Sequence, residues 1–488
     1  MTVPLRRRSS FLYCGAIMEM LHKCSLYDDA IIKLNSLISN AKAIEEARKN
    51  KYETQSKSLP MMRKYFEACN IDIKELDKLN VIHIAGSKGK GTTCAMIESI
   101  LRDRGYKTGF FSSPHLVDVT ERIRINGEQI DKDMFSKYFF NIYTKLVNNN
   151  ISPLPGYFKF LTILAYHTFL KENVDVAIME VGIGGEYDST NIIEKPTVCG
   201  ITTLDYDHTH LLGETIQEIA WQKGGIMKNL TPCITIPQEE EAMSVLYSRS
   251  EEKGSMLSIA PTLDESLIYS LQFPGKHQLS NLSLAIEIAK RWEEITNIRN
   301  KNNYQNIYSP EYLKRLFKNF IWRGRTQKIE RNGIQYMVDG AHTQKSIEAC
   351  TNWFMSDGSD NENGKCVKIL VFSTTGERKG EKFLRILEKC KFNLVLFSST
   401  IVKQNMKFDD SNLNLTIDAN DATKKCYENQ NIWSNISSGV PSEVFPTIEM
   451  CVMYINNLRK TTPDETEIRV LVTGSLHLVG GVISFIEN

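Results

Sequence analysis

The chain predicts an α/β fold of two domains, each built on a mostly parallel sheet. Short apolar runs alternate with longer amphipathic segments from Val81 onward. A Gly/Lys-rich turn joins the first of those runs to a helical segment, and a polar, Asn-rich stretch, Thr296–Tyr308, interrupts the alternation before it resumes. At about 150 residues per domain, 488 residues suit two to three domains.

Taken in order, Glu19–Ala68 reads as helical, with apolar residues at Ile31, Ile32, Leu34, Leu37 and Ile38. Val81–Ala85 is a short β-rich run, Thr92–Arg104 a helix and Lys107–Phe111 the next strand. Strands at Val174–Val181, Thr197–Thr202 and Cys233–Ile236 alternate with helices at Tyr157–Leu170 and Thr215–Lys223. Beyond the Asn-rich linker, Gln335–Val338, Val367–Phe372, Leu394–Phe397 and Arg469–Val472 read as strands, and Ser346–Met355, Gly380–Lys389 and Ile448–Leu458 as helices. Ser356–Lys365 and Asp409–Pro441 are polar and are expected to be surface insertions. The expected domains are 18–303 and 304–488.

Residues 1–17 stand apart. They carry Arg6, Arg7 and Arg8, two serines and no acid, the composition of a mitochondrial leader. Met18 or Met20 would then start a leaderless, cytoplasmic product; a basic tail is the other reading.

Composition excludes several classes. Lys and Arg number 59 against 58 Asp and Glu, so the chain has no global field for gripping nucleic acid. No 18-residue apolar run is present to span a membrane. The 11 cysteines form no C-x-x-C pair and read as reduced, buried thiols.

The chemistry begins at Gly86-Ser87-Lys88-Gly89-Lys90-Gly91-Thr92, between a strand and a helix. Three glycines let the backbone wrap an anion, with N–H groups turned inward. The helix N-terminus adds partial positive charge, Lys90 a full one, and the Thr92 hydroxyl suits magnesium. The strict phosphate-loop pattern is not met, because Ile84 stands at its first glycine and Gly91 separates Lys90 from Thr92. A plain tight turn is the alternative. Glu180, closing an apolar strand before Gly182, Gly184 and Gly185, lies where open α/β sheets bind ligands.

The run Val81–Thr92 resembles the ATP loop of the folylpolyglutamate synthases, members of the Mur-ligase superfamily. Six further stretches match in order: Phe110–Leu116, Glu180–Gly185, Asp207–Thr209, Ile219–Ile226, Asp339–Thr343 and Val472–Gly481. Lys159 in Phe158–Thr162, where bacterial members carry an acid, and Thr343 after His342 resemble the eukaryotic branch. Arg323 in Trp322-Arg323-Gly324-Arg325 replaces the family's proline.

The resemblance implies a P-loop-type ATPase domain with a smaller Rossmann-like C-terminal domain. It also implies ATP, magnesium, a monovalent cation such as K⁺, a reduced folate and L-glutamate, in a monomer that binds no nucleic acid. The expected activity is ATP-dependent γ-linked addition of glutamate to folates through an acyl phosphate. Dihydrofolate synthase, a bifunctional enzyme, or an ATP-binding regulatory protein remain as alternatives. By the same resemblance Lys88, Gly89, Lys90, Gly91, Thr92, Asn281, Arg325 and Asp339 bind ATP, while Ser113, Glu180 and His208 hold magnesium. Lys90, Lys223 and His342 are the implied catalytic residues. The lysine aligned with Lys223 reacts with carbon dioxide in related ligases, and a carbamate there would make it a metal ligand. On sequence grounds alone it is a lysine at a helix end.

Overall fold

The computed structural model describes residues 26–38, 51–265, 267, 277–296, 308–318, 320–356, 366–375, 378, 380–404 and 419–487. The leader and most of the Asn-rich linker lie outside these residues.

Two sheets organise the chain. The first runs β4-β3-β2-β5-β1-β6-β7-β8, with β1 Ile82–Ala85, β2 Thr108–Phe111, β3 Ile123–Ile125, β4 Glu128–Gln129, β5 Val176–Glu180, β6 Val198–Ile201, β7 Pro232–Thr235 and β8 Met256–Ile259. Only β3 and β4 run antiparallel to their neighbours. The second runs β13-β12-β11-β14-β10-β9, with β9 Gln327–Arg331, β10 Ile334–Val338, β11 Cys366–Phe372, β12 Leu394–Ser398, β13 Ser442–Phe445 and β14 Glu467–Thr473. Here only β9 is antiparallel. The two-domain, mostly parallel architecture is thus as expected.

The central strands form because helices cover both their faces, so every residue of β1, β2, β5 and β6 is buried and apolar runs are favoured. Ile82 and Ile84 pack on the face shared with the helices Lys90–Asp103 and His277–Thr296. His83 alternates to the other face, where its Nε2 meets Thr190 Oγ1 at 2.8 Å. The described cysteines are free thiols, all buried except the half-buried Cys366. Among the described residues no helix is long and apolar enough to cross a membrane.

Two expectations change. The polar stretch Asp409–Pro441 contains the helix Ala419–Ile436, whose Cys426 and Trp433 are buried in the core of the second sheet. The helix Pro310–Phe317 belongs with the first sheet, not the second. Leu313 and Phe317 are buried beside Ile97 and Trp292, and Arg315 pairs with Asp103 at 3.0 Å. This helix, expected within 304–488, thus shares the core of the first sheet.

Candidate active site

Both sheets turn the carboxyl ends of their strands toward one cleft, the location where open α/β sheets carry ligands. From the first come the loop after β1, Glu180 at the end of β5, and the segment to Asp207 after β6. From the second come Asp339–His342 after β10 and Arg378 after β11. Contacts close across the cleft: Lys88 Nζ lies 3.0 Å from His342 Nε2, and Arg378 lies 3.5 Å from Asp207.

The β1 loop differs in detail from a cradle of inward amides. Ser87 and Lys88 donate their backbone N–H groups to Thr203 O, at 2.9 and 3.1 Å. The first amides of the following helix, Lys90 to Thr92, have no intrahelical acceptor and are free to receive an anion. Gly89, at φ 85°, is needed twice over: the backbone is left-handed, and any Cβ would strike the Asn281 side chain. Asn281, buried in its helix and bonded to Gln278 Oε1 at 3.1 Å, therefore lies against this loop. Gly91 faces the Glu180 carboxylate and the Trp322 indole.

Two lysine side chains converge on one carbonyl. Lys90 Nζ donates to Gly86 O at 3.0 Å, and Lys223 Nζ to the same oxygen at 2.8 Å. Lys223 is buried, and burial and nearby Lys90 drive its pKa far down, favouring the neutral amine. Lys88 is likewise lowered by burial, while Asp207 at 2.7 Å holds its charge.

The acids divide the site. Glu180 is buried, which raises its pKa against the pull of Lys90 and of the Ser113 N–H that it accepts at 2.9 Å. Asp207 is held far below the usual carboxylate range, against its burial, by His342 and Lys88, and it also faces Arg378. His208 sits in a left-handed conformation beside it, its pKa lowered to about 4 mainly by burial. His342 is lowered to about 4 by burial, so it is neutral; its Nδ1–H donates to Gly340 O at 2.7 Å and leaves Nε2 to accept from Lys88. Asp339 is buried, accepts Thr326 N–H at 2.8 Å, and is countered by Arg325.

Among the described residues no three His, Cys, Asp or Glu side chains are grouped closely enough to hold a metal alone. Ser113 and Glu180 are adjacent, and His208 lies within the field of Lys90 and Lys223. A carboxylate, a hydroxyl and a neutral imidazole form a hard, sparse donor set that suits magnesium only with water and phosphate oxygens completing it. Sequence reasoning gave no role to Asp207 or Arg378. Asp207 lies within a matched motif, but Arg378 carries no local signal and gains its place only through the fold.

The model described as the Mur ligase middle domain matches residues 84–289. The human mitochondrial folylpolyglutamate synthase is 35% identical, the match covering 94% of this chain and 92% of that protein. The Neurospora crassa folylpolyglutamate synthase is 34% identical over 96% of this chain and 93% of its own. The Mycobacterium tuberculosis folylpolyglutamate synthase complexed with ADP is similar in fold, with a TM-score of 0.73, 19% identity, and coverage of 96% of this chain and 99% of that one.

Proposed function

This chain belongs to the folylpolyglutamate synthases, and we propose that the cleft between its sheets is where it joins glutamate to folate at the expense of ATP. It is an ATP-dependent ligase. The observation that carries the placement is the convergence of the Lys90 and Lys223 side chains on Gly86 O, with Lys88 beside them. Lys90 and Lys88 bring positive charge to this turn, and a triphosphate is the anion that matches it.

In this reading the open amides of Lys90–Thr92 and the Lys90 ammonium hold the phosphates, and Gly89 and Asn281 shape the floor. Arg325 and Asp339 bring the second domain to the nucleotide, the former to phosphate and the latter to ribose hydroxyls. Glu180, Ser113 and His208 would hold magnesium, which when bound neutralises phosphate charge. The folate γ-carboxylate attacks the terminal phosphorus, and the bond to ADP breaks. The glutamate amine then attacks the acyl phosphate, and inorganic phosphate leaves. Lys88 and Arg378 orient anionic groups at the seam, and once Lys88 turns to the phosphates, His342 Nε2 receives the proton that the amine loses. Lys223 as a carbamate would present oxygens to the metal. Its burial supports this, because carbon dioxide reacts only with the neutral amine.

The test is incubation with ATP and glutamate plus either a reduced folate or dihydropteroate. Glutamylation of the reduced folate alone is expected; turnover of dihydropteroate alone would overturn the substrate assignment. For Lys223, Lys223→Ala should be inactive and recover with added short-chain carboxylic acids, and full activity without additive would remove its role. K⁺ dependence and a monomeric state, checked by salt substitution and light scattering, complete the reading. The relatives' mitochondrial naming and the Arg-containing leader support a mitochondrial form, and a start at Met18 or Met20 would give the cytoplasmic one. Residues 1–17 fused to a fluorescent reporter should direct it to mitochondria, and a diffuse signal would discard that half.

A further inference from the structure

Lys223 points into the cleft from the nine-residue helix Ile216–Gly224, and the groups behind that helix decide where its ammonium can reach. Arg249, on the helix Glu240–Lys253, is the main one. Its side chain is only 2% exposed. Its guanidinium lies over the Trp221 ring, 4.3 Å from the centroid, and its stem packs on Gly224, so it contacts the residues two before and one after Lys223. One terminal nitrogen donates to Glu252 at 2.5 Å and the other to Glu186. Glu186 belongs to the glycine-rich loop that follows Glu180. It also accepts Lys253 Nζ at 3.1 Å, and its backbone N–H donates to Gln222 O at 2.7 Å. The glycines at 224 and 225 leave the room for this packing, since a methyl at Gly225 would collide with Glu186.

From this geometry we propose that Arg249 is a positioning residue for the ligation. It clamps the Lys223 helix to the Glu180–Asp188 loop, so that Lys223 and Glu180 keep a fixed separation across the phosphate site. This rests on the reading that Lys223 and Glu180 serve at that site. Arg249 itself touches none of the groups assigned to ATP, metal or substrate. The fork supplies what a plain apolar contact lacks: two directed hydrogen bonds from one rigid plane, stacked on an aromatic face, fix rotation as well as distance. The arrangement is kept although Arg249 Nε is buried with no acceptor among the described residues.

The test must separate positioning from stability. Replacing a buried ion pair by apolar residues of similar volume often leaves stability unchanged, whereas breaking one partner does not. The double variant Arg249→Met with Glu186→Met should therefore melt near wild type, while Lys253 turns to solvent. We expect its kcat to fall at least tenfold with KM for ATP within about twofold, because the phosphate loop is untouched. Backbone amides of 182–188 and 216–225 should exchange hydrogen faster than in wild type, with the second sheet unchanged. Wild-type kcat at wild-type stability would overturn the proposal. Should the double variant not fold, Arg249→Lys retains charge and stem without the fork, and the same kcat loss is expected; wild-type kcat there would equally overturn it. Faster exchange with unchanged kcat would instead remove Lys223 and Glu180 from catalysis while leaving the ATP site, read through ADP binding, in place.

Discussion

Asp207→Asn removes a charge and keeps the shape, which makes it the sharpest probe of the seam between the domains. Its carboxylate, 11% exposed, receives Lys88 at 2.7 Å from its own domain and faces Arg378 at 3.5 Å from the other. Neutral His342 lies 3.8 Å away and adds no full charge. Breaking one partner of a fully buried pair costs about 3–5 kcal/mol, while an exposed pair is worth under about 1. With Lys88 22% and Arg378 31% exposed, we take a value of about 2 kcal/mol, between those limits. That lowers the melting temperature by about 4–8 °C for domains of this size. The assay is thermal unfolding of both proteins at low ionic strength and again in 1 M salt, where screening should narrow the gap. The sign with pH is also fixed. The folded Asp207 is held far below its ordinary value of 3.8, so its stabilisation is present above that value and is lost as pH falls below it. The difference between wild type and variant should therefore be level from about pH 8 to 5 and close only in stronger acid. A gap under about 1 °C at low salt, or one that closes already at pH 6, would refute the reasoning.

Three further outcomes follow from the same coordinates. Lys90→Ala should lower kcat/KM by about two orders of magnitude, roughly 3 kcal/mol, with an unchanged circular dichroism spectrum; near-wild-type kcat/KM would sink the phosphate-loop assignment. Gly89→Ala places a methyl against Asn281 on a left-handed backbone at φ 85°, so ADP affinity measured by calorimetry should drop at least tenfold, and an unchanged Kd would contradict the packing. His83 and His167 are kept neutral by burial, with values lowered from 6.5 to about 3 and about 4. The unfolded chain binds their protons first, so their stabilisation is full above pH 6.5 and is lost as pH falls. Each should contribute a loss of about 1.4 kcal/mol at pH 5.5 in urea unfolding, and His83→Gln should remove its share.

The parts of the fold that the sequence disclosed are those with one physical cause. β1, β2, β5 and β6 are buried on both faces and read as apolar runs. The strands it missed lie at or near sheet edges. β8 is exposed at Met256, Ser258 and Ile259, and β9 carries Gln327, Lys328, Glu330 and Arg331, so neither shows a clean apolar pattern. The helix Ala419–Ile436 was hidden because, among its side chains described, only Cys426, Asn429 and Trp433 are buried, and a polar surface outweighs so narrow a stripe. The loop Gly86–Thr92 was legible because its glycines are locally required. Arg378 was not, because its meaning is a contact with Asp207 across the cleft.

A net charge of +1 conceals the electrostatics that matter. Lys88, Lys90 and Lys223 gather around the first turn after β1 with two nearby acids, Glu180 and Asp207, of which the second is already committed to Lys88 and Arg378. Burial lowers the pKa values of Lys88 and Lys223, so the cleft is an unfavourable place for further positive charge. A metal ion entering first would meet Lys88 and Lys90 with one uncommitted carboxylate to offset them. On the proposed reading, a nucleotide brings several negative charges, offsets the positive charge of Lys88 and Lys90, and supplies the oxygens that Glu180, Ser113 and His208 would lack as a metal site. On the proposed reading the charge arrangement favours metal arriving with the nucleotide, at a seam that Lys88–His342 and Arg378–Asp207 already bridge.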